Sequence, residues 1–578
     1  MKAKENSPEL HKTSSASPAL NFILGALIIL FCFSLFKNIS YPLVWNDESE
    51  GIMAGQRILE YGYPKVHDGK NTVISSLAPG INVGYKEKYD ANIIITWGNY
   101  YWCAIGVFLA KFTNDIYTKT AMLRLPFTVM GLFGLLIFVF SARKLFSSKE
   151  HFKIFAALFV FVELFSIALI LHMREARYFS LVIFLSACFF YIYSNYFFFR
   201  KMNNLKYWIG MTLLLFFTFH VNFIAFAILA ATLTFNRGII FLFSFFKNSK
   251  NFKQDFISVL RESVPLFVSV VLIYPFVIFF EMSKTSAAMS EFVKFTFDSY
   301  KTNIQMIYNY LTNLEFAYTF IIVKAIWLFL RWYLPSGSKS NKNKKTDPIE
   351  LFQKLSLFAT SFFIIYALII ARTPWLFVRH YIVMQPVMVL IMITDIFIVF
   401  YQISSLQKKS IPIAKFSCAA LLLISFSLNA KNKIEYIKGH IYEMTHQYKG
   451  DLDYIIPYIQ QNFKNTDSLI IATNYEEFSY MYYLHSKVTI GYVYNNIEDD
   501  LKYIPDIILY RKSWGTDPKY FNEFMQKAKY QKVTLPVADY FVNNIPEFGS
   551  NFVTQHQFKT KLAKNEKEMI DIFVRVKE

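Results

Sequence analysis

The sequence predicts a polytopic α-helical membrane protein of about eleven transmembrane helices, followed by a small C-terminal α/β domain. The 578 residues are 54% hydrophobic and only 17% charged, with a mean hydropathy of +0.31. A soluble protein of this length carries more charge on its surface. Apolar runs long enough to cross a hydrocarbon core of roughly 30 Å recur as far as Leu428, and beyond it polar residues alternate with short β-type runs.

The formal net charge of +19 is distributed in short clusters of Lys and Arg between the apolar runs. This pattern is typical of topology signals rather than of one continuous basic face, so a lipid bilayer is a predicted partner and nucleic acid is not. The cysteines occur singly within hydrophobic segments, at Cys32, Cys103, Cys188 and Cys418. Their spacing fits neither a zinc site nor a disulfide framework.

The predicted spans lie near residues 19–36, 124–141, 153–171, 178–199, 207–235, 262–280, 315–334, 352–371, 376–400 and 411–428. The first follows a basic N-terminus, as in a signal peptide, but no small-residue cleavage site comes after it, so it is predicted to remain in the protein. The stretch 207–235 is longer than one span needs, and His220 and Asn222 at its middle predict two short helices.

The positive-inside rule supports this division of the chain. If the N-terminus is cytoplasmic, all the basic loops fall on the cytoplasmic side, namely 143–153, 200–206, 237–261, 331–345 and Lys408-Lys409. The outward connections are then a large loop from Asn38 to Leu123, a corner at Met173–Arg177, a loop at 282–314 and a corner at Arg372–His380. The segment Ile93–Ala110 contains Trp97 and Trp102 and is predicted to lie flat in the outer interface.

Two domains are predicted, with a boundary at residue 429/430. Residues 1–429 form the transmembrane domain, including the outer loop 38–123, and residues 430–578 form the α/β domain. The β-type runs are Ser468–Ala472, Lys487–Val493 and Asp506–Tyr510. An odd number of spans places this domain outside, in a multi-pass protein of the plasma (inner) membrane. The basic, Ser-rich stretch Ser336–Lys345 is predicted to be a cytoplasmic linker.

The first candidate site is acidic. Asp47, Glu48 and Glu50 follow the first span directly, and three carboxylates within four positions are suited to act as a base or to bind a cation. The alternative is an ordinary acidic helix start, in which Asn46 or Asp47 caps the amphipathic run Gly51–Tyr61.

The second candidate site consists of arginines at the two outward corners. Arg174 and Arg177, followed by Tyr178, are three positions apart, and on one helix face they would form a double donor suited to phosphate. Arg379 and His380 occupy the other corner. Arginines that merely anchor helix ends are the alternative, but Arg on the outward side opposes the positive-inside trend.

Polar residues inside the spans are weaker candidates. Glu163 lies in an apolar span and is predicted to share a helix face with Arg174, whereas a structural bond between helices explains it about as well. For His220 and Asn222, an interhelical hydrogen bond is the favoured role.

The order and sidedness of these features resemble the GT-C superfamily of membrane glycosyltransferases, in particular the branch with protein O-mannosyltransferases and lipid A aminoarabinose transferases. Asp47-Glu48 with Ala54-Gly55 is similar to the acidic motif after the first span. Residues 123–146 resemble the second span, residues 174–178 the next outward corner, and Arg379-His380-Tyr381 with Pro386 a later piece. The chain departs from the pattern at 89–93, where many relatives have a Pro-rich signature, and Glu175 is the nearest candidate for a second catalytic carboxylate.

The resemblance implies an inverting transfer of a sugar from a polyprenyl-phosphate carrier to an envelope glycan, lipid or protein acceptor at the outer face. It assigns Asp47 as the general base, and Glu48 beside it is the other predicted catalytic residue, in support of that base. The leaving phosphate departs readily as an anion and needs charge stabilisation rather than a general acid, which is the expected role of Arg174, Arg177 and Arg379, with Tyr178 and His380 beside them. No cofactor is predicted; a divalent metal on the carboxylates is the less favoured option.

Two other function classes fit parts of the sequence. A transporter or flippase of a lipid-linked saccharide also has many spans and an intramembrane Glu163. Against a transporter, the sequence has no inverted repeat and carries a terminal α/β domain. A polysaccharide polymerase or ligase uses the same kind of lipid-linked donor.

Overall fold

The computed structural model describes most of the chain. The described residues are 18–74, 83–246, 252–292, 294–333, 348–373, 376–404, 411–447, 449–489, 500–514, 519–539 and 569–576. The predicted linker Ser336–Lys345 and the pair Lys408-Lys409 lie outside them.

Helices make up nearly all of the first part. They are α1 (Pro18–Phe36), α2 (Asn46–Tyr61), α3 (Gly98–Ala110), α4 (Ile116–Ser141), α5 (Lys149–Glu163), α6 (Ile167–Met173), α7 (Phe179–Tyr193, continued by a π-helical turn to Phe198), α8 (Asn204–Val221), α9 (Phe223–Phe246), α10 (Phe252–Phe279), α11 (Met282–Phe292), α12 (Phe297–Asn313), α13 (Ala317–Tyr333), α14 (Pro348–Ile370), α15 (Met384–Ser404) and α16 (Ile411–Thr445). Polar caps define several starts; for example, the Asp115 carboxylate accepts from the Thr118 N–H at 2.7 Å before α4.

Within the described residues, seven helices are long and apolar enough to cross a membrane, or nine if each of two bent helix pairs counts as one span. The protein is therefore a multi-span membrane protein, but the predicted number of about eleven is not confirmed. The stretch 207–235 does divide into two helices, α8 and α9, which meet at Asn222. The span predicted at 411–428 is the first part of the 35-residue helix α16, so the predicted domain boundary at 429/430 falls inside a helix.

Two sharp bends interrupt the membrane helices. α5 and α6 meet at 83°, and α12 and α13 meet at 90°. Carbonyls freed at the bends need partners inside the protein, and α16 supplies them. Lys433 donates to Phe165 O at 3.1 Å, and Asn429 donates to Glu315 O at 2.9 Å.

Glu163 is buried at the first of these bends, where α5 ends. Because α6 begins only at Ile167 and turns away, Glu163 and Arg174 do not share a helix face, and that prediction is wrong. The charged groups that act on Glu163 are Glu315 and Lys433. Its place is thus in a polar cluster that joins the two broken helices to α16.

The outer loop folds into α2, α3 and a short hairpin of β1 (Tyr85–Lys86) and β2 (Ala91–Asn92). α2 packs closely against α3 because Gly55 has no side chain; a Cβ there would lie 2.7 Å from Ala104 N. α3 has 13 residues, and Trp97 before it packs edge-on against Phe279 and Phe280. The described part of the outer loop is therefore packed against the membrane helices.

In the part of the C-terminal domain that the structure describes, a five-stranded mixed sheet packs with helices, as the β-type runs predict. Its elements are α17 (Leu452–Asn462), β3 (Ile470–Thr473), α18 (Glu477–Leu484), β4 (Lys487–Thr489), β5 (Ile507–Leu509), α19 (Lys519–Met525), β6 (Tyr530–Ala538) and β7 (Met569–Arg575). The strand order is β4-β3-β5-β7-β6. β3 is parallel to β4 and β5, and β7 is antiparallel to both of its neighbours.

This domain packs directly on the outer loop. The Tyr483 hydroxyl bonds Thr120 Oγ1 of α4 at 2.6 Å. At the edge of the sheet, the Asn71 amide bonds the backbone of Ser486 and Val488 at 2.9 and 2.8 Å. The start of α18 lies against the start of α2, where the acidic motif stands.

Candidate active site

Asp47 stands in the first turn of α2, between two arginines from different corners. Its carboxylate lies 3.4 Å from Arg177 Nη2 and 3.5 Å from Arg379 Nη2, and Arg177 also donates to Asp47 O at 2.9 Å. The Asp47 side chain is 31% exposed, whereas the arginines are 17% and 9% exposed. Both ion pairs are long, and Arg177 Nε has no hydrogen-bond partner among the described residues, so this guanidinium retains a donor near an accessible carboxylate.

Arg379 is further held by two aromatic rings. Its guanidinium lies 5.0 Å from the ring centre of Trp45 and 4.4 Å from that of Phe377. Such contacts favour a fixed cation over a mobile one. The corner is shaped by a short 3₁₀ turn at Val378–His380.

Glu48 points the other way and is fully buried. Its carboxylate accepts from Arg124 Nε and Nη2 at 2.9 and 2.6 Å, and from the Ala176 N–H at 2.8 Å. Arg124 also donates to the carbonyls of Ile39 and Pro42. This bidentate pair joins α2 to α4 and to the first arginine corner, so the geometry favours a positioning role for Glu48 over contact with substrate.

The first corner separates its two arginines. α6 ends at Met173, so Arg174 and Arg177 lie in a turn and not on one helix face as predicted. Arg174 donates to Lys37 O and to Glu443, each at 2.7 Å, and thereby ties α1 to α16. Of the two arginines of this corner, Arg177 contacts Asp47 and Arg174 does not. In the same turn, Glu175 is buried and bonds His172 Nδ1 at 2.6 Å.

His380 and Tyr178 flank the arginines. Burial, together with the charges of Arg379 and Arg177, lowers the pKa of His380 well below its usual value, so the imidazole is neutral at pH 7. Its Nδ1 accepts from the Phe377 N–H at 3.1 Å. The Tyr178 ring lies 5.6 Å from the Arg177 guanidinium, and burial raises the pKa of its hydroxyl. Neither residue supplies positive charge to an anion.

A mostly apolar cleft lies beside these two residues, among the helices. The space in it that a water-sized sphere can enter is about 40 Å³. Tyr178 and His380 line the cleft together with residues of α7, α9 and α14, including Val182, Ile228 and Ile370. Its lining is suited to an apolar group.

Two further carboxyl groups lie near Asp47: Glu50, which belongs to the predicted acidic site, and Glu477, which the sequence did not select. Glu50 is half-buried and accepts from the Tyr100 hydroxyl at 3.3 Å. Burial raises its pKa to about 7, an effect that Arg177 opposes and Asp47 reinforces. Glu477 of α18 is 5% exposed, and burial, with a contribution from Asp47, raises its pKa to about 7. Glu50 belongs to the recognised acidic motif, but nothing in the sequence links it to Glu477, which lies more than 400 positions away.

Two of the solved structures that resemble this protein match nearly the whole chain. Both are crystal structures of ArnT from Cupriavidus metallidurans. The apo form has a TM-score of 0.52 and 11% sequence identity over 97% of this chain and 98% of ArnT. The form bound to undecaprenyl phosphate has a TM-score of 0.52 and 10% identity over 90% and 96%. The fold is that of ArnT. No protein-family model and no curated protein sequence matches the chain.

ArnT is a lipid A aminoarabinose transferase of the GT-C class, so the predicted GT-C resemblance is confirmed at the level of fold. In this ArnT-like fold, the first outer loop, two helix corners and the C-terminal domain converge on Asp47. The arrangement combines a partly exposed carboxylate, two fixed cations and an apolar cleft. Chemically it can bind a lipid with an anionic head and abstract a proton beside that head.

Proposed function

We propose that the protein is an inverting glycosyltransferase that moves a sugar from a polyprenyl-phosphate carrier to an envelope glycan, lipid or protein acceptor at the outer face of the membrane. The observation that carries the proposal is Asp47 between Arg177 and Arg379, in a chain with the ArnT fold. The residues that follow the two arginines, Tyr178 and His380, line an apolar cleft. The proposed orientation has the N-terminus in the cytoplasm and the C-terminal domain outside.

The proposed position of the lipid-linked sugar donor follows from the charges and the polarity of the site. The carrier's phosphate lies at Arg177 and Arg379, whose donors are fixed before the ligand arrives, and the first isoprenoid units enter the cleft beside Tyr178 and His380. The structure of ArnT with undecaprenyl phosphate supports this class of lipid. A neutral His380 fits the cleft, because a second cation there would oppose an apolar chain.

The chemical step needs one base. Asp47 takes the proton from the attacking hydroxyl while the bond from the anomeric carbon to the phosphate oxygen breaks, and the phosphate leaves as an anion. The two arginines stabilise the charge that develops on the departing oxygen. We propose that no metal ion takes part, since the leaving group already has two cationic partners.

The test uses the full-length protein in membrane vesicles with radiolabelled sugar on polyprenyl phosphate. Transfer of label to an extractable acceptor supports the proposal, and this transfer should persist in excess EDTA. Movement of intact lipid-linked sugar across the membrane, without loss of sugar from the carrier, would instead identify the flippase alternative. Loss of activity in EDTA, restored by one divalent ion, would overturn the metal-free mechanism.

A further inference from the structure

The C-terminal domain places a buried carboxylate in the site. Glu477 is 5% exposed, and apart from its own backbone N–H its carboxylate has no hydrogen-bond partner among the described residues. The Ser479 hydroxyl bonds Val44 O at 2.9 Å and Ser49 Oγ at 3.0 Å, which holds this end of α18 on the start of α2. Its oxygens are not among the fully buried side-chain atoms that lack a partner, so the carboxylate retains some accessible surface and can accept a hydrogen bond from a ligand.

Glu477 comes to the site from the C-terminal domain. The start of α18 is bonded to the start of α2 through the hydroxyls of Ser479 and Ser49, and the charge of Asp47 acts on Glu477. Arg177 and Arg379, which come from the two corners, are within 3.5 Å of Asp47. The site therefore has an arginine half, suited to the phosphate, and a further carboxylate, Glu477, that the C-terminal domain contributes.

A buried network fixes the turn before Glu477. Arg511 donates to Glu476 at 2.6 Å and to Asp539 at 2.8 Å, and it also pairs with Asp451. Glu476 has a φ of +64°, a conformation that a glutamate adopts only when its surroundings enforce it. The direction of Glu477 is thus set by the core of the C-terminal domain.

We propose that Glu477 binds the acceptor: its carboxylate accepts a hydrogen bond from a hydroxyl next to the attacking oxygen and orients that oxygen toward Asp47. This inference rests on the proposed function, because an acceptor exists only if the chain transfers a sugar. It also gives the C-terminal domain a role in the site, since that domain contributes Glu477. The competing explanation is that Glu477 only complements the dipole at the start of α18.

The experiment compares Glu477→Gln with wild type in vesicles. The donor is radiolabelled sugar on undecaprenyl phosphate, and the acceptor is a total glycolipid and glycan extract of the native envelope, added in increasing amounts. We expect the half-saturating amount of extract to rise roughly tenfold to a hundredfold, the effect of losing one hydrogen bond to a charged group. Affinity for undecaprenyl phosphate alone should stay within about twofold, because the arginine half is untouched. Glu523→Gln, an exposed carboxylate on α19 of the same domain, should change neither quantity.

The outcomes separate the two hypotheses. If wild type transfers no sugar, the proposed function fails; if it does, and Glu477→Gln needs no more extract than wild type, only the acceptor role fails. A variant that merely melts at a lower temperature, with unchanged saturation by extract, would establish the helix-dipole role instead. Should Glu477→Gln not fold, Glu477→Asp keeps the charge but shortens its reach. That variant should still raise the half-saturating amount, and saturation equal to wild type would refute the proposal.

Discussion

Replacing Asp47 with Asn tests the proposed base with little disturbance of the structure. Asn has nearly the same shape but cannot accept a proton at neutral pH. Asp47 is partly exposed, and its ion pairs to Arg177 and Arg379 are 3.4 and 3.5 Å long. Pairs of this kind contribute about 1 kcal/mol or less, so the variant should fold and insert normally.

The expected loss of rate is much larger than that structural cost. A positioned general base contributes about 10²- to 10⁴-fold, which corresponds to about 2.7–5.4 kcal/mol at 1.36 kcal/mol per tenfold. The loss should appear in kcat. Donor binding should be unchanged or tighter, because the variant removes a negative charge that competes with the carrier's phosphate for the two arginines.

The assay measures single-turnover transfer of labelled sugar from polyprenyl phosphate, together with binding of undecaprenyl phosphate to the same preparation. Glu60→Gln is the matched control, since Glu60 lies on the same helix and its side chain is 39% exposed. Activity of Asp47→Asn within about threefold of wild type would refute the base assignment, because it falls well short of the expected range. A parallel loss in Glu60→Gln would show that the helix, and not the carboxylate, matters.

Three further predictions concern other charged groups of the protein. Glu48→Leu should destabilise the protein by about 3–5 kcal/mol because it leaves Arg124 charged and buried. Thermal unfolding in detergent should show a smaller loss of stability when Arg124→Met is added to Glu48→Leu. An equal or greater loss of stability in the double variant would contradict the pairing. Arg379→Lys keeps the charge but loses the planar fork, so the Kd for undecaprenyl phosphate should rise roughly tenfold; an unchanged Kd would remove Arg379 from the donor site. Asp453, at the base of the C-terminal domain, has its pKa raised to about 7 by burial; since the folded state then binds more protons than the unfolded state, stability should fall as pH rises from about 4 to 7, and Asp453→Asn should show a shallower fall. Equal pH slopes for the two proteins would contradict that pKa.

The sequence was most informative where a feature depends on local order along the chain. Apolar runs of spanning length predicted the membrane helices, and the change in composition after Leu428 predicted the mixed domain. It was less reliable where neighbouring helices decide the outcome. The bend after Glu163 is stable because α16 supplies partners for the freed carbonyls, and no pattern within residues 153–171 records that partner. The predicted number of spans is not confirmed, since the described residues contain seven candidate spans, or nine if each bent pair counts as one.

The candidate site divides in the same way. Residue types and sidedness were enough to select Asp47, Arg177 and Arg379, which the structure brings together from three separate segments. The sequence could not show that Glu48 is neutralised by Arg124, since a buried partner 76 positions away leaves no local signal.

The sequence by itself determined which outward segments carry charge, since the positions of charged residues next to the apolar spans can be read from it. An ionised group near an apolar span must stay at the membrane surface or find a partner. Only the tertiary structure decided which of these charged groups form hydrogen bonds and ion pairs with other residues and which face the candidate active site. In the tertiary structure, Arg174 bonds residues next to α1 and on α16, and Asp47 stays accessible. Glu477, from the far end of the chain, is buried near Asp47. The physical reason is that hydrogen bonds and ion pairs depend on distances of a few ångströms in space, which packing sets and separation along the chain does not.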